Sequence, residues 1–184
     1  MSNLKELTWK HHKNAERQAF VKEMFGGNIT DERYATYLFN QHPQYNMLEM
    51  LSMVHGLLDG ITELRRAPRI HADYQELWGE ANPHQPPLLP VVKEYMDYLL
   101  TIKDDPEKLM AHIYVRHMGD LSGGQMIAKR VPGSGRYYKF DSDTEELKNK
   151  IREKLDDSMA DEAKVCFDFA TKLFQQMEEA KETV

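Results

Sequence analysis

Apolar side chains recur at three- and four-residue spacing along most of the chain, and no segment alternates apolar and polar as a half-buried strand would. This pattern predicts helices over Asn3 to Met24, Asp31 to Leu64, Ala72 to Glu80, Pro90 to Ile102, Pro106 to Arg130, Thr144 to Asp157 and Met159 to Lys181. Thr30-Asp31 and Asp104-Asp105-Pro106 supply N-terminal caps followed by acid or proline in the first turn. Breakers gather in two connectors, from Asn82 to Pro90 and from Val131 to Gly135. No repeat or low-complexity tract divides the chain, so a single all-α domain over residues 1–184 is expected. Pro43 falls inside the second helix, where it removes one hydrogen bond and should kink the axis just before Tyr45.

One stretch disturbs the helical pattern. Gly119-Asp120-Leu121-Ser122-Gly123-Gly124-Gln125 interrupts the fifth predicted helix, and each glycine there costs about 1 kcal/mol relative to alanine. Helix-forming character resumes at once in Gln125 to Lys129, so a simple C-cap at Gly119 explains the cluster poorly. A helix face without side chains can instead bend and lay its backbone against a broad, flat ligand. Asp120 is then the only ionisable group on that segment.

If the flat ligand is a haem, an axial ligand is needed from another element, and histidine is the commonest. The N-terminal helix offers His11 and His12, about 100° apart around the axis, and periodicity alone does not choose between them. Lys5 lies seven residues before His12, about 20° away on the same strip and ~10 Å along the axis, which suits an ammonium reaching a propionate. Glu16, one turn after His12, can accept a hydrogen bond from the other ring nitrogen and fix the tautomer.

The segments Leu4 to Thr8 with His12 and Ala15-Glu16, and Ala111 to Arg116 with Gly119 to Gln125, closely resemble the haem oxygenase family. The resemblance runs from Leu4 to about Gln176. It implies a multi-helix bundle in which haem b, both substrate and cofactor, lies between a proximal helix carrying His12 and a kinked distal helix carrying Gly119, Asp120 and Gly123. His12 would ligate the iron. Tyr45, Tyr114 and Arg116 match distal-side residues of the family, and Lys5, Lys148 and Arg152 match its basic residues facing the propionates. The implied reaction opens the ring with O2 and reducing equivalents to biliverdin, by resemblance the alpha isomer, releasing Fe(II) and carbon monoxide. A neutral imidazole lacks the electron push of a thiolate, which favours attack on the ring. Asp120 would order a water that delivers a proton, held in place by Arg116 and Tyr45.

Two departures from the family stand out. No asparagine follows Asn149, so Ala170 stands where the family often has one in its distal water network, and Thr171 is the nearest replacement. His117 and Met118 replace a more usual aromatic and leucine, with His117 expected to be a packing residue more often than a titratable one.

Composition narrows the field. Hydrophobic residues at 41% and aromatics at 10% of 184 residues place the chain among globular proteins. No apolar run reaches a membrane span and no signal-peptide pattern opens the chain, so a soluble, cytoplasmic protein without a membrane partner is expected. A net charge of −6 argues against a nucleic-acid partner. Within that acidic chain, Lys129, Arg130, Arg136 and Lys139 form a basic island suited to an acidic electron donor such as ferredoxin. A monomer is expected. Cys166 reads as a packing residue. Competing readings are a non-catalytic haem carrier of the same fold, a di-iron bundle, a thiaminase-like enzyme and an interaction bundle. The di-iron reading fails because no glutamate has a histidine three residues later.

Overall fold

The computed structural model describes residues 2–79 and 82–182, and among these no strand forms. Ten α-helices run in order: α1 (Leu4–Leu7), α2 (Trp9–Glu16), α3 (Ala19–Gly26), α4 (Asp31–Val54), α5 (Ala67–Trp78), α6 (Pro90–Thr101), α7 (Pro106–Leu121), α8 (Gly124–Ile127), α9 (Thr144–Arg152) and α10 (Ala160–Glu182). The all-α expectation holds. The two predicted caps form as well: Thr30 accepts from the Arg33 N–H and Asp105 from the Lys108 N–H, each at 3.1 Å.

Several boundaries differ from the sequence pattern, for local reasons. The first predicted helix is three. The Thr8 hydroxyl bonds back to the Leu4 carbonyl at 2.6 Å where α1 ends, and Gln18 adopts an extended conformation before α3. The second helix stops at Val54 rather than Leu64, because Gly56 and Gly60 turn the chain with positive φ. α5 begins at Ala67 rather than Ala72, with Pro68 in its first turn where proline's missing N–H is harmless. The predicted end of this helix at Glu80 lies outside the described residues. α9 stops at Arg152 rather than Asp157, and α4 runs unbroken through Pro43.

α10 lies along α7, α2 and α3, while α4 packs on α5, α6 and α7. Two buried clusters result. One centres on α7 with Leu99, Leu109, Ile113, Leu147 and Ile151. The other joins α3, the first half of α4 and the Arg136–Tyr138 turn, through Phe20, Leu38, Tyr137 and Tyr138. The cavity described next draws its walls from both, taking Leu4, Ala15, Tyr114 and Phe167 from the first and Met24, Tyr37, Tyr45 and Tyr137 from the second.

Candidate active site

The distal helix does break at its glycines. α7 ends at Leu121, Ser122 leaves helical geometry, and α8 resumes at Gly124, so the predicted continuous helix from Pro106 to Arg130 is interrupted rather than bent. The Gln125 amide repairs the break by donating to the carbonyls of Asp120 at 3.1 Å and Tyr138 at 2.8 Å.

The three glycines separate into two kinds. None has positive φ, so backbone conformation requires glycine at none of them. A Cβ at Gly119 would meet nothing within 4 Å, and one at Gly123 only the Gly119 carbonyl at 4.0 Å. A Cβ at Gly124 would stand 2.6 Å from the Tyr138 ring. Gly124 lines the cavity as well, but packing against the Tyr138 ring requires glycine there whether or not a ligand is bound. Gly119 and Gly123 satisfy no need of the protein's own packing, and both line the cavity.

That cavity, of about 500 Å³, is also lined by Lys5, His12, Glu16, Tyr45, Tyr114, Arg116, Asp120 and Arg152. The two histidines face different surroundings here. His11 turns its Nδ1 to Asp168 at 2.9 Å, whereas His12 lines the cavity. The His12 ring stacks on Phe167 at 5.3 Å and meets Trp9 edge-on at 5.6 Å. Its pairing with Glu16 forms through Nε2, at 2.7 Å. Lys148 is not brought to the cavity; its ammonium lies 3.1 Å from Glu145, one turn before Arg152. Thr171 does not line the cavity either, although its neighbour Ala170 does, and its buried hydroxyl has no hydrogen-bond partner.

Asp120 is buried, and among the described residues only Tyr45 hydrogen-bonds its carboxylate. The Tyr45 hydroxyl donates to Oδ2 at 2.9 Å and lies 3.2 Å from Oδ1. Tyr137 donates in turn to the Tyr45 hydroxyl at 2.9 Å. Arg116 does not grip Asp120 as expected: its guanidinium donates to Gln44 at 2.8 Å, to the Tyr95 hydroxyl at 3.2 Å and to Gln41 at 3.4 Å. Its side chain reaches across to α4 and α6 instead of along α7. Its charge still acts on Asp120 through space. Burial pushes the Asp120 carboxyl up to about 7, against the opposing pull of His117, the Tyr45 hydrogen bond, Arg66 and Arg116.

Tyr137, Gln41, Gln44 and Tyr95 escape the sequence reading. Tyr137 is fixed by a turn whose N–H groups are taken by Asp73, at 3.1 Å from Arg136 and 2.8 Å from Tyr137, and whose carbonyls are taken by Arg66. The same turn weakens the predicted basic island. The Arg136 guanidinium lies 2.8 Å from Glu76 and 3.6 Å from Asp73, so of the four residues of that island only Lys129, Arg130 and Lys139 are exposed and make no ion pair among the described residues.

Comparison with known proteins agrees with this geometry. A family model described as Heme oxygenase matches residues 1–176. The heme oxygenases of Pyropia yezoensis and Guillardia theta are each 30% identical, over 96% and 95% of this chain and 84% of their own length. Among solved structures, heme oxygenase-1 from Synechocystis in complex with heme superposes with a TM-score of 0.83 at 27% identity, covering 96% of this chain and 91% of that one. The heme oxygenase from Leptospira interrogans gives 0.80 at 29%, covering 93% and 96%. With a family model matched over residues 1–176 and relatives 30% identical over most of both chains, the chain belongs to the haem oxygenase family.

Proposed function

We propose that this chain, as one domain, binds haem in the cavity and cleaves it oxidatively to biliverdin, with release of iron and carbon monoxide. The observation that carries this reading is the pair Gly119 and Gly123, which leave empty space beside Asp120 where any other residue would place a Cβ. A flat macrocycle fills such space. The apolar lining, with Leu4, Val21, Met24, Phe25 and Phe167, suits its faces. Lys5 and Arg152 at the cavity suit its propionates, and Lys148 can join them only by leaving Glu145.

Bound haem supplies both the iron at which O2 is activated and the ring that is oxidised. His12 would hold the iron through a ring nitrogen, its ring oriented by Phe167 and Trp9. Ligation through Nε2 requires the Glu16 carboxylate to withdraw, whereas ligation through Nδ1 leaves that pair intact. Asp120, with a carboxyl poised near neutral pH, can both hold and release a proton at the cavity wall, and Tyr137 and Tyr45 keep it aimed. Tyr114, on the same helix as Asp120, also lines the cavity. Arg116, tied to Gln41, Gln44 and Tyr95, keeps positive charge near the acid without bonding to it. The open backbone at Gly119 and Gly123 would let a bound ring approach closely, and attack at its alpha position is part of this proposal. Lys129, Arg130 and Lys139 support docking of an acidic donor such as ferredoxin, with a smaller share from Arg136.

Adding haemin and ascorbate to the protein in air tests the reading. Loss of the haem absorption band with appearance of biliverdin is expected. Haem that stays bound and intact through reduction and exposure to O2 would identify a carrier and overturn the proposal.

A further inference from the structure

A chain of hydrogen bonds runs from the cavity wall through the core towards the surface, and the proposed reaction makes no use of it. Arg116 is buried and lines the cavity, yet it has no ion pair among the described residues. Its Nε donates to the Tyr95 hydroxyl on α6 at 3.2 Å and its Nη2 to Gln44 on α4 at 2.8 Å. Behind Tyr95, the His112 Nδ1 lies 2.7 Å from the same hydroxyl. The His112 Nε2 lies 2.9 Å from Glu162 on α10, a carboxylate whose side chain is 11% exposed and which also accepts from the Tyr98 hydroxyl. Counting donors fixes the direction of the chain. A guanidinium only donates and a carboxylate only accepts, so the Tyr95 oxygen is an acceptor towards Arg116 and His112 Nε2 a donor towards Glu162. A neutral His112 takes the Tyr95 proton on Nδ1, and a protonated one turns it to the Cys166 Sγ, 3.9 Å away. In either state the Tyr95 oxygen keeps a lone pair for Arg116. Asp120 stands four residues after Arg116 on α7, a spacing at which the two side chains can meet. Both line the cavity of about 500 Å³, which gives a freed guanidinium room to turn.

We infer that Tyr95 is a positioning residue, oriented by His112 and Glu162: together with Gln44 it holds Arg116 off Asp120, so that this acid stays out of an ion pair and able to carry a proton. The inference rests on the role proposed above for Asp120. Its carboxyl, raised by burial to about 7, agrees with a guanidinium that acts only through space, since a directly paired carboxylate is pulled down instead. The other groups facing Asp120 are Tyr37 and Tyr45 on α4, Tyr137 and Tyr138 in the turn, Arg66 before α5 and His117 on α7. Burial keeps the four phenols protonated at neutral pH. Arg66 is tied to the backbone carbonyls of Glu63, Leu64, Tyr137 and Lys139, none of which belongs to the chain through Tyr95.

Carbon-13 NMR of aspartate carboxyls in the full, ligand-free chain reads Asp120 directly, with its resonance assigned by its absence from Asp120→Asn. Tyr95→Phe keeps the ring and removes the acceptor oxygen, so Arg116 should turn to Asp120. The titration midpoint of that acid should then fall by about one to three pH units, a 10- to 1,000-fold change in acid constant. Gln44→Met removes the other short contact and should move the midpoint the same way. Combined with Arg116→Met, the Tyr95→Phe change should leave the midpoint where Arg116→Met alone puts it, because the fall requires the guanidinium. A disturbance of packing alone would persist in that background. An unchanged or raised midpoint in Tyr95→Phe, or a fall of the same size with and without Arg116, overturns the inference. Should Tyr95→Phe fail to fold, Gln44→Met, alone and with Arg116→Met, makes the same test. Haem cleavage by the unaltered protein is scored separately, so failure of one claim is not mistaken for failure of the other.

Discussion

Replacing Gly119 with alanine should make the ligand-free protein more stable and the haem-bound protein worse. Gly119 is the fourteenth residue of the 16-residue helix α7, its φ is not positive, and an added Cβ meets nothing within 4 Å. The substitution therefore removes the conformational freedom of glycine without a clash, a gain of up to about 1 kcal/mol. For a chain of this size that raises the melting temperature by roughly 2–4 °C. The new methyl occupies cavity space assigned to the macrocycle, and overpacking of this kind costs roughly 1–3 kcal/mol. Haem affinity should then fall about 5- to 150-fold. Thermal unfolding of the ligand-free variant and titration with haemin, followed by absorbance, measure the two effects. Gly124→Ala is the contrasting control, because a Cβ there runs into Tyr138 at 2.6 Å and should lower stability before any ligand is added. A Gly119→Ala protein that melts lower, or binds haemin as tightly as its parent, would refute the argument that this glycine is kept for a ligand.

Asp120 should make stability fall as pH rises. Its carboxyl is raised from the ordinary 3.8 to about 7 in the folded chain, so the native state holds the proton more tightly than the unfolded one and loses that advantage between about pH 4 and 7. Asp120→Asn should gain stability relative to the parent across that window, as measured by urea unfolding, and a difference that stays constant with pH would contradict the sign. Gln125→Ala leaves the carbonyls of Asp120 and Tyr138 without their shared donor and should cost about 1 kcal/mol or more; an unchanged urea midpoint would mean water replaces the amide. Turnover driven by ferredoxin should fall as added salt shortens the screening length toward ~3 Å near 1 M, and should fall with Lys129→Glu or Arg130→Glu more than with Arg136→Glu. Turnover driven by ascorbate should resist the salt and all three charge reversals, and equal sensitivity with both reductants would remove the docking role from these cations.

The parts of this fold legible in the sequence are those decided locally. Thr30, Asp105 and Pro106 mark helix starts because capping involves neighbours within one turn. His12, Asp120, Gly119 and Gly123 stand out because a helix has no use for them in that combination. What escaped depends on distant segments. Tyr137 reaches Tyr45 across 92 residues, and Arg116 bonds to Gln44 across 72 rather than to Asp120 in its own helix. Periodicity places a residue on a face but does not say which of two neighbours a long side chain will choose. The same limit explains Lys148, whose register matches a propionate-facing position while its ammonium turns to Glu145. Gly124 looked like its neighbours because the Tyr138 ring that excludes a side chain there is contributed by the following turn.

The central claim is that haem is held in this cavity through His12. The absorption spectrum of the ferric haem complex of His12→Ala, recorded with and without added imidazole, tests it most directly. The account expects the six-coordinate spectrum of the parent to be lost and then restored when imidazole fills the vacated place, with His11→Ala behaving as the parent. A His12→Ala complex that keeps the parent's spectrum, or a His11→Ala complex that loses it, would contradict the account.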